Sequence, residues 1–225
     1  MEGALRQARD VGFLGPGPVE RHLRHALGFA MVLESSGGVG REPSIDLGSG
    51  GGVPGLVLAC IWPDVPWTLL DSMDRRTAFL QTAVSELGLD HAVSVWRIRA
   101  EDAGRSTRRG TFAIVTARGF AGPAVTAECA APLLSVSGRL VVSEPPEGIG
   151  PARWSLPALA RLGLTLEKSE RVTVGLGIID GSAGDQGVRS SDASGEFGYQ
   201  VLRQVTPCPE GYPRRSGQLL KRPIW

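Results

Sequence analysis

The chain has 225 residues, enough for one domain with a substantial core. Its 24 Lys and Arg balance 23 Asp and Glu to a net charge of +1, so bulk charge implies no nucleic-acid partner and any basic surface has to be local. Cys60, Cys129 and Cys208 make no C-x-x-C, which argues against a disulfide framework or zinc site, and neither a signal-peptide core nor a bilayer-length apolar run is present; a soluble, cytoplasmic monomer without metal or membrane is expected.

Residues 1–43 form an N-terminal segment whose one clear helix is Val19–Leu33, with Leu23, Leu27 and Ala30 at helical spacing and Glu20, Arg21, Arg24 and His25 polar. The breaker Gly15-Pro16-Gly17-Pro18 precedes it, and the polar stretch Ser35–Glu42 leads into the first strand. Residues 44–225 carry the main domain. Its first stretch, Ser44–Gly55, reads as strand, tight loop and helix: Ile45 and Leu47 flank Asp46, four glycines follow within five residues, and Pro54 opens the apolar run Leu56–Ile61. Proline suits a first helical turn, and the helix start offers unpaired N–H groups to an anion.

Two cofactors fit that loop. Gly50 to Gly55 matches the dinucleotide fingerprint G-x-G-x-x-G, and Asp46 to Gly52 matches D-x-G-x-G-x-G, the first motif of S-adenosylmethionine (SAM) methyltransferases. Asp46 favours SAM, because an acid repels a pyrophosphate and suits a cationic amine and sulfonium. Asp71, about 20 residues beyond the glycines, is placed to bind ribose hydroxyls in either case.

Further strands are expected at Trp67–Asp71, Val93–Arg97, Phe112–Thr116 and Arg139–Ser143, with helices at Arg75–Leu87 and Ala124–Leu134 between them. This alternation predicts an α/β fold with a parallel sheet, right-handed crossovers and flanking helices, and the D-x-G-x-G-x-G motif makes the expected sheet Rossmann-like, of the class I SAM-dependent methyltransferase type. Beyond it, Leu156–Leu162 suggests a helix, Leu164–Val174 and Tyr199–Val205 strands, and Asp180–Gly198, rich in Gly, Ser and Asp, a long flexible hairpin loop or a disordered insertion. The tail Tyr212–Arg222 is basic; it reads either as a solvated terminus or as a phosphate-binding arm.

Taken together, D-L-G-S-G-G-G-V-P-G-L-V-L-A, W-P-D, L-L-D-S-M-D-R-R-T-A-F-L, R-A-E-D and A-R-G-F-A resemble the RsmG family, first named glucose-inhibited division protein B. Glu20-Arg21-His22-Leu23 and the tail pieces Tyr212 to Gly217 and Lys221-Arg222-Pro223 resemble it as well. The resemblance covers residues 19–145 and the tail. It implies methylation of guanine N7 in 16S ribosomal RNA, with ribosomal RNA or the small subunit as partner. It also implies that Asp46, Gly48, Gly50, Gly52 and Val53 lie along SAM, that Asp71 and Ser72 lie near its ribose and Ala100 and Glu101 near its adenine, and that Arg118 stands beside cofactor and target base. Glu101 and Asp102 also fit a solvated turn, and Arg118 a helix cap.

Candidate RNA contacts are Arg75, Arg76, Arg214, Arg215, Lys221 and Arg222, with Arg97 and Arg99 as further phosphate-binding candidates. Guanine N7 carries a lone pair and no proton, so no general base is needed. Exocyclic-amine methyltransferases place an acid or amide and two prolines after the fourth strand, where this chain has Thr116-Ala117-Arg118-Gly119-Phe120. The chain departs from the family at Glu144 and Phe197, which stand where basic residues are usual. If Glu144 faces phosphate, Glu144→Lys strengthens RNA binding. A divergent SAM-binding paralogue with another substrate or no catalysis, and an NAD-dependent oxidoreductase, are the alternatives.

Overall fold

The computed structural model describes residues 1–146, 151–175 and 195–225. Seven strands, β1 (Ser44–Leu47), β2 (Trp67–Asp71), β3 (Val93–Arg97), β4 (Phe112–Ala117), β5 (Leu134–Glu144), β6 (Leu164–Thr173) and β7 (Glu196–Gln204), form one sheet in the order β3-β2-β1-β4-β5-β7-β6. The helices are α1 (Glu2–Asp10), α2 (Val19–Ser35), α3 (Gly55–Ile61), α4 (Asp74–Glu86), α5 (Ala100–Ala103), α6 (Pro123–Ala130), α7 (Leu156–Arg161) and α8 (Ser216–Lys221).

The first five strands are parallel, each reached through a crossover, as the alternating pattern requires. The sheet is mixed at its end, as a hairpin between the last two strand candidates implies: β7 runs antiparallel between β5 and β6. β6 and β7 pair with each other antiparallel, and β7 also pairs with β5. Strands buried on both faces read as near-continuous apolar runs, and alternate residues feed two cores. Ile45, Leu47, Leu70, Val115, Leu140 and Leu202 meet α5, α6 and α7 on one face. Leu69, Ile114, Val141 and Val201 meet α2, α3 and α4 on the other.

Strands β2 and β3 have the bounds read from sequence. Other elements differ for local reasons. Helix α6 ends at Ala130, earlier than expected, because Pro132 has no N–H to continue the helical ladder. The residues freed there start β5 at Leu134. Helix α1 was not anticipated: its charges hide a short buried stripe of Ala4, Leu5 and Ala8. Glu196, Phe197 and Gly198, assigned to the long loop, open β7; residues 180–194 of that loop lie outside the described residues.

Helix α2 comes close to β7. A Cβ on Gly28 would stand 2.8 Å from Tyr199 Cζ, and Tyr199 is fully buried, its hydroxyl donating to the His25 carbonyl at 2.7 Å. Glycine at this one position lets Tyr199 fix α2 over the carboxyl ends of the strands.

Candidate active site

Strand order reverses at β1, which has β2 on one side and β4 on the other. In open α/β sheets ligands bind in the crevice outside the carboxyl ends at such a point. The glycine loop lies there. Gly48, Gly50 and Gly52 all have positive φ, at 67°, 52° and 88°. A Cβ on Gly48 would stand 2.9 Å from the Phe120 ring, so only glycine lets the loop approach the end of β4. Two buried carboxylates brace the loop. Asp46 accepts from Thr116 Oγ1 at 2.7 Å and from the Gly55 N–H at 3.2 Å. Asp71 accepts from the Gly50 N–H at 3.1 Å and the Met73 N–H at 2.9 Å. Desolvation pushes the Asp46 carboxyl up to about 6 against the opposing pull of its hydrogen bonds.

Past the loop, a pocket of about 200 Å³ opens between the ends of β2, β3 and β4, with Ser72, Ala100, Glu101, Phe120 and Ala121 in its wall. Its floor is apolar: Val125 and Cys129 come from α6, and burial pushes the Cys129 thiol up to about 12, so it stays neutral. A glycine cradle beside a small apolar pocket with one buried acid at its rim fits the adenosyl end of SAM.

A second cleft, of about 390 Å³, lies beyond β4 and β5. Phe120 and Ala121 line it too, together with Arg118, His25, Glu144 and Trp154. Arg118 is held by two imidazoles from α2: its Nε donates to His25 Nδ1 at 3.1 Å, and its Nη2 pairs with His22 Nδ1 at 2.7 Å. His22 Nε2 sits 3.0 Å from the Gly15 carbonyl, which can only accept, so the proton is on Nε2 and Nδ1 accepts from Arg118. By the same reasoning His25 is protonated at Nε2, a buried atom without a partner among the described residues. His25 stacks on Phe197 with ring centroids 4.5 Å apart. Burial and the neighbouring Arg118 push His25 down to about 3 and lower His22, keeping both imidazoles neutral acceptors. Arg118 Nη1 has no partner among the described residues.

Comparison with known proteins decides what this architecture belongs to. The family model for rRNA small subunit methyltransferase G, GidB, matches residues 18–144. The chain belongs to the GidB family. The ribosomal RNA small subunit methyltransferase G of Moorella thermoacetica is 34% identical over 80% of this chain and 68% of its own length. That of Symbiobacterium thermophilum is 31% identical over 92% and 80%. Among solved structures, a geranyl diphosphate methyltransferase in complex with SAM aligns with a TM-score of 0.54 at 16% identity, over 90% of this chain and 94% of that one; this likeness shows the fold. Fold and family are those of methyltransferases, so the NAD-dependent reading is set aside.

Within this GidB-family site, several residues assigned from sequence have other partners. The Asp46 carboxylate, expected beside the SAM cation, is fully buried and bonded to Thr116 and Gly55. The Val53 side chain, expected along SAM, packs instead among Leu5, Val19, Ala26 and Val57. Glu101 is buried, unlike a solvated turn, while its neighbour Asp102 is exposed. Arg214, proposed for RNA, is an internal strut: its Nη2 lies 2.6 Å from Glu128 Oε2, and Glu128 is fully buried. Arg76 lies 3.6 Å from Asp71, Arg97 pairs with Asp74, and Arg99 lies 3.7 Å from Glu101. Arg75, Arg215, Lys221 and Arg222 are exposed, the last two lining a groove of about 450 Å³ along α8.

The Glu144 carboxylate, which the sequence leaves open to phosphate, has partners within the protein. It is buried, accepts from Trp154 Nε1 at 2.7 Å and pairs with Arg153. His22 and His25 escaped the sequence reading as a functional pair. Their i, i+3 spacing on one helix, which puts two imidazoles on one face, was the signal.

Proposed function

We propose that the protein transfers the methyl group of SAM to N7 of a guanine in small-subunit ribosomal RNA, as a monomer in the cytoplasm. The observation that carries the proposal is the shared wall: Phe120 and Ala121 border both the adenosyl-sized pocket and the cleft beside Arg118, so a base in the cleft is a neighbour of the cofactor.

SAM supplies a methyl group already activated by a sulfonium, so alignment carries much of the acceleration. Guanine N7 attacks with its lone pair and loses no proton, which agrees with a cleft whose two histidines are held neutral as acceptors for Arg118. Guanine presents O6 next to N7 as a second acceptor. Arg118, with Nε and Nη2 occupied, keeps Nη1 for O6 and leaves N7 uncovered. Phe120 offers an apolar surface against which a base can lie. Arg75, Arg215, Lys221 and Arg222 are the exposed cations available for phosphates, and Arg214 acts only by holding the tail in place.

The test is single-turnover transfer of labelled methyl to small subunits and to deproteinised 16S RNA, followed by mass mapping of the modified nucleotide. Label on guanine N7 is expected, with Arg118→Ala slower by about a hundredfold while binding of the demethylated cofactor is unchanged. Label on an exocyclic amine, or an unaltered Arg118→Ala rate, overturns the assignment of N7 or of Arg118.

A further inference from the structure

The adenosyl-sized pocket has one wall that neither the glycine loop nor the strand ends provide. Leu219 and Leu220, from α8 near the C-terminus, line it together with Ser72 and Ala100. Leu219 is 2% exposed and belongs to the core, whereas Leu220 is 64% exposed at the mouth of the pocket. A bare leucine beside a small apolar pocket has a cover to gain when a flat, largely apolar group enters.

The segment that carries these leucines is fastened on both sides. Before α8, both oxygens of the fully buried Glu128 take Arg214: Oε1 accepts from its backbone N–H and from Nε at 2.8 Å each, and Oε2 from Nη2 at 2.6 Å. Glu128 sits in α6 next to Cys129, which forms the pocket floor, so strut and floor share one helix. Arg105 donates to the Pro213 carbonyl at 2.7 Å, and Arg109 to the Tyr212 and Cys208 carbonyls at 2.6 Å. After α8, Arg161 donates to the Ile224 carbonyl at 2.9 Å and Trp225 Nε1 to the Arg153 carbonyl at 3.2 Å. Arg153 in turn holds Glu144 at the second cleft. One strap thus runs from the wall of the cofactor pocket to the edge of the base cleft.

We propose that α8 is the outer wall of the adenosyl pocket and that Leu220 lies over the adenosyl group when cofactor is bound. It is a cofactor contact that the glycine motif does not include. The inference rests on SAM being the cofactor. The basic residues around it, Arg105, Arg109 and Arg214, hold this wall in position.

Calorimetric titration with S-adenosylhomocysteine, and separately with adenosine, tests it on the full chain. Leu220→Asp is expected to weaken both ligands at least tenfold, Leu220→Met to bind like the wild type, and Leu156→Asp, a control at a similarly exposed leucine remote from the pocket, to have no effect. Wild-type affinity in Leu220→Asp, or a loss for S-adenosylhomocysteine without one for adenosine, overturns the wall and leaves the cofactor assignment standing. A wild-type protein that binds neither S-adenosylhomocysteine nor SAM overturns the cofactor assignment itself. Should Leu220→Asp melt lower without ligand, hydrogen exchange of the wild type decides. Slowed exchange in residues 216–221 on adding S-adenosylhomocysteine supports the wall, and unchanged exchange refutes it.

Discussion

Replacing His25 with phenylalanine isolates the part of the site that orients Arg118. An aromatic ring remains to stack on Phe197, but the phenyl is larger than the imidazole and lacks the Nδ1 that accepts from Arg118 Nε at 3.1 Å. A hydrogen bond to a charged group contributes roughly 1.5–3 kcal/mol, so about 2 kcal/mol is lost. The substitution also removes His25 Nε2–H, a buried donor without a partner among the described residues, which returns about 1 kcal/mol. The larger phenyl ring among Phe29, Phe197 and Tyr199 adds about 1 kcal/mol of overpacking. The net cost is about 2 kcal/mol, or roughly 4–8 °C in Tm for a chain of this length. The rate responds more strongly. With one of its two imidazole partners gone, Arg118 can rotate about its remaining bond to His22, and misplacing a positioning group by about 1 Å costs on the order of a hundredfold. His25→Phe is therefore expected to melt roughly 4–8 °C below the wild type, bind S-adenosylhomocysteine normally, and transfer methyl some 30- to 100-fold more slowly in single turnovers. His25→Gln, which restores an acceptor, should recover part of the loss. A His25→Phe enzyme with the wild-type rate would show that Arg118 needs no second imidazole and would refute the clamp.

Two further substitutions probe the buried acids. Glu144→Lys sets a cation against Arg153 and leaves Trp154 Nε1 without its acceptor, a disruption on the scale of about 3–5 kcal/mol. A Tm about 10 °C lower is expected by thermal unfolding, and an unchanged Tm with tighter RNA binding would instead place the carboxylate against RNA. Asp46 and His25 act in opposite directions with pH. The Asp46 pKa is raised from 3.8 to about 6, so its carboxyl favours the folded state increasingly as pH falls from 6 to 4, while His25, lowered from 6.5 to about 3, costs stability over an overlapping range as pH falls below 6.5. Denaturant unfolding of Asp46→Asn should therefore show stability falling more steeply with acid between pH 6 and 4 than in the wild type, and parallel curves would mean that Asp46 titrates normally.

The parts of the fold that were legible in the sequence are those where local chemistry and tertiary context agree. Trp67–Asp71 and Val93–Arg97 are short apolar or alternating runs between breakers, and their bounds match. The glycine spacing marked the crevice because positive φ at Gly48, Gly50 and Gly52 is a backbone demand that few other residues meet. Helix α1 was not legible, since three buried residues among charges make too narrow a stripe to separate from a solvated leader. The antiparallel pairing of β6 with β7 was one of two readings of the Gly-, Ser- and Asp-rich stretch between them, whereas the place of β7 between β5 and β6 was not legible, because strand order depends on long-range contacts that periodicity does not carry.

Charges were the harder part, for one physical reason. A sequence shows that an acid or a base is present but not which group neutralises it. Asp46 and Arg118 both stand where ligand contact was expected, yet Asp46 satisfies Thr116 and Gly55, while Arg118, held by neutral imidazoles, keeps one nitrogen for a ligand. The tail shows the same division within nine residues. Arg214 has a fully buried carboxylate for a partner, and leaving such a carboxylate unpaired costs about 3–5 kcal/mol; Arg215, Lys221 and Arg222 are exposed. Deleting residues 212–225 would therefore weaken the fold and remove Leu219 from the core together with any phosphate contact, so RNA binding by the tail can be read only from substitutions at the three exposed cations. Replacing those three with alanine should lower the slope of log affinity against log salt without moving the Tm, because only counterion-releasing contacts are lost.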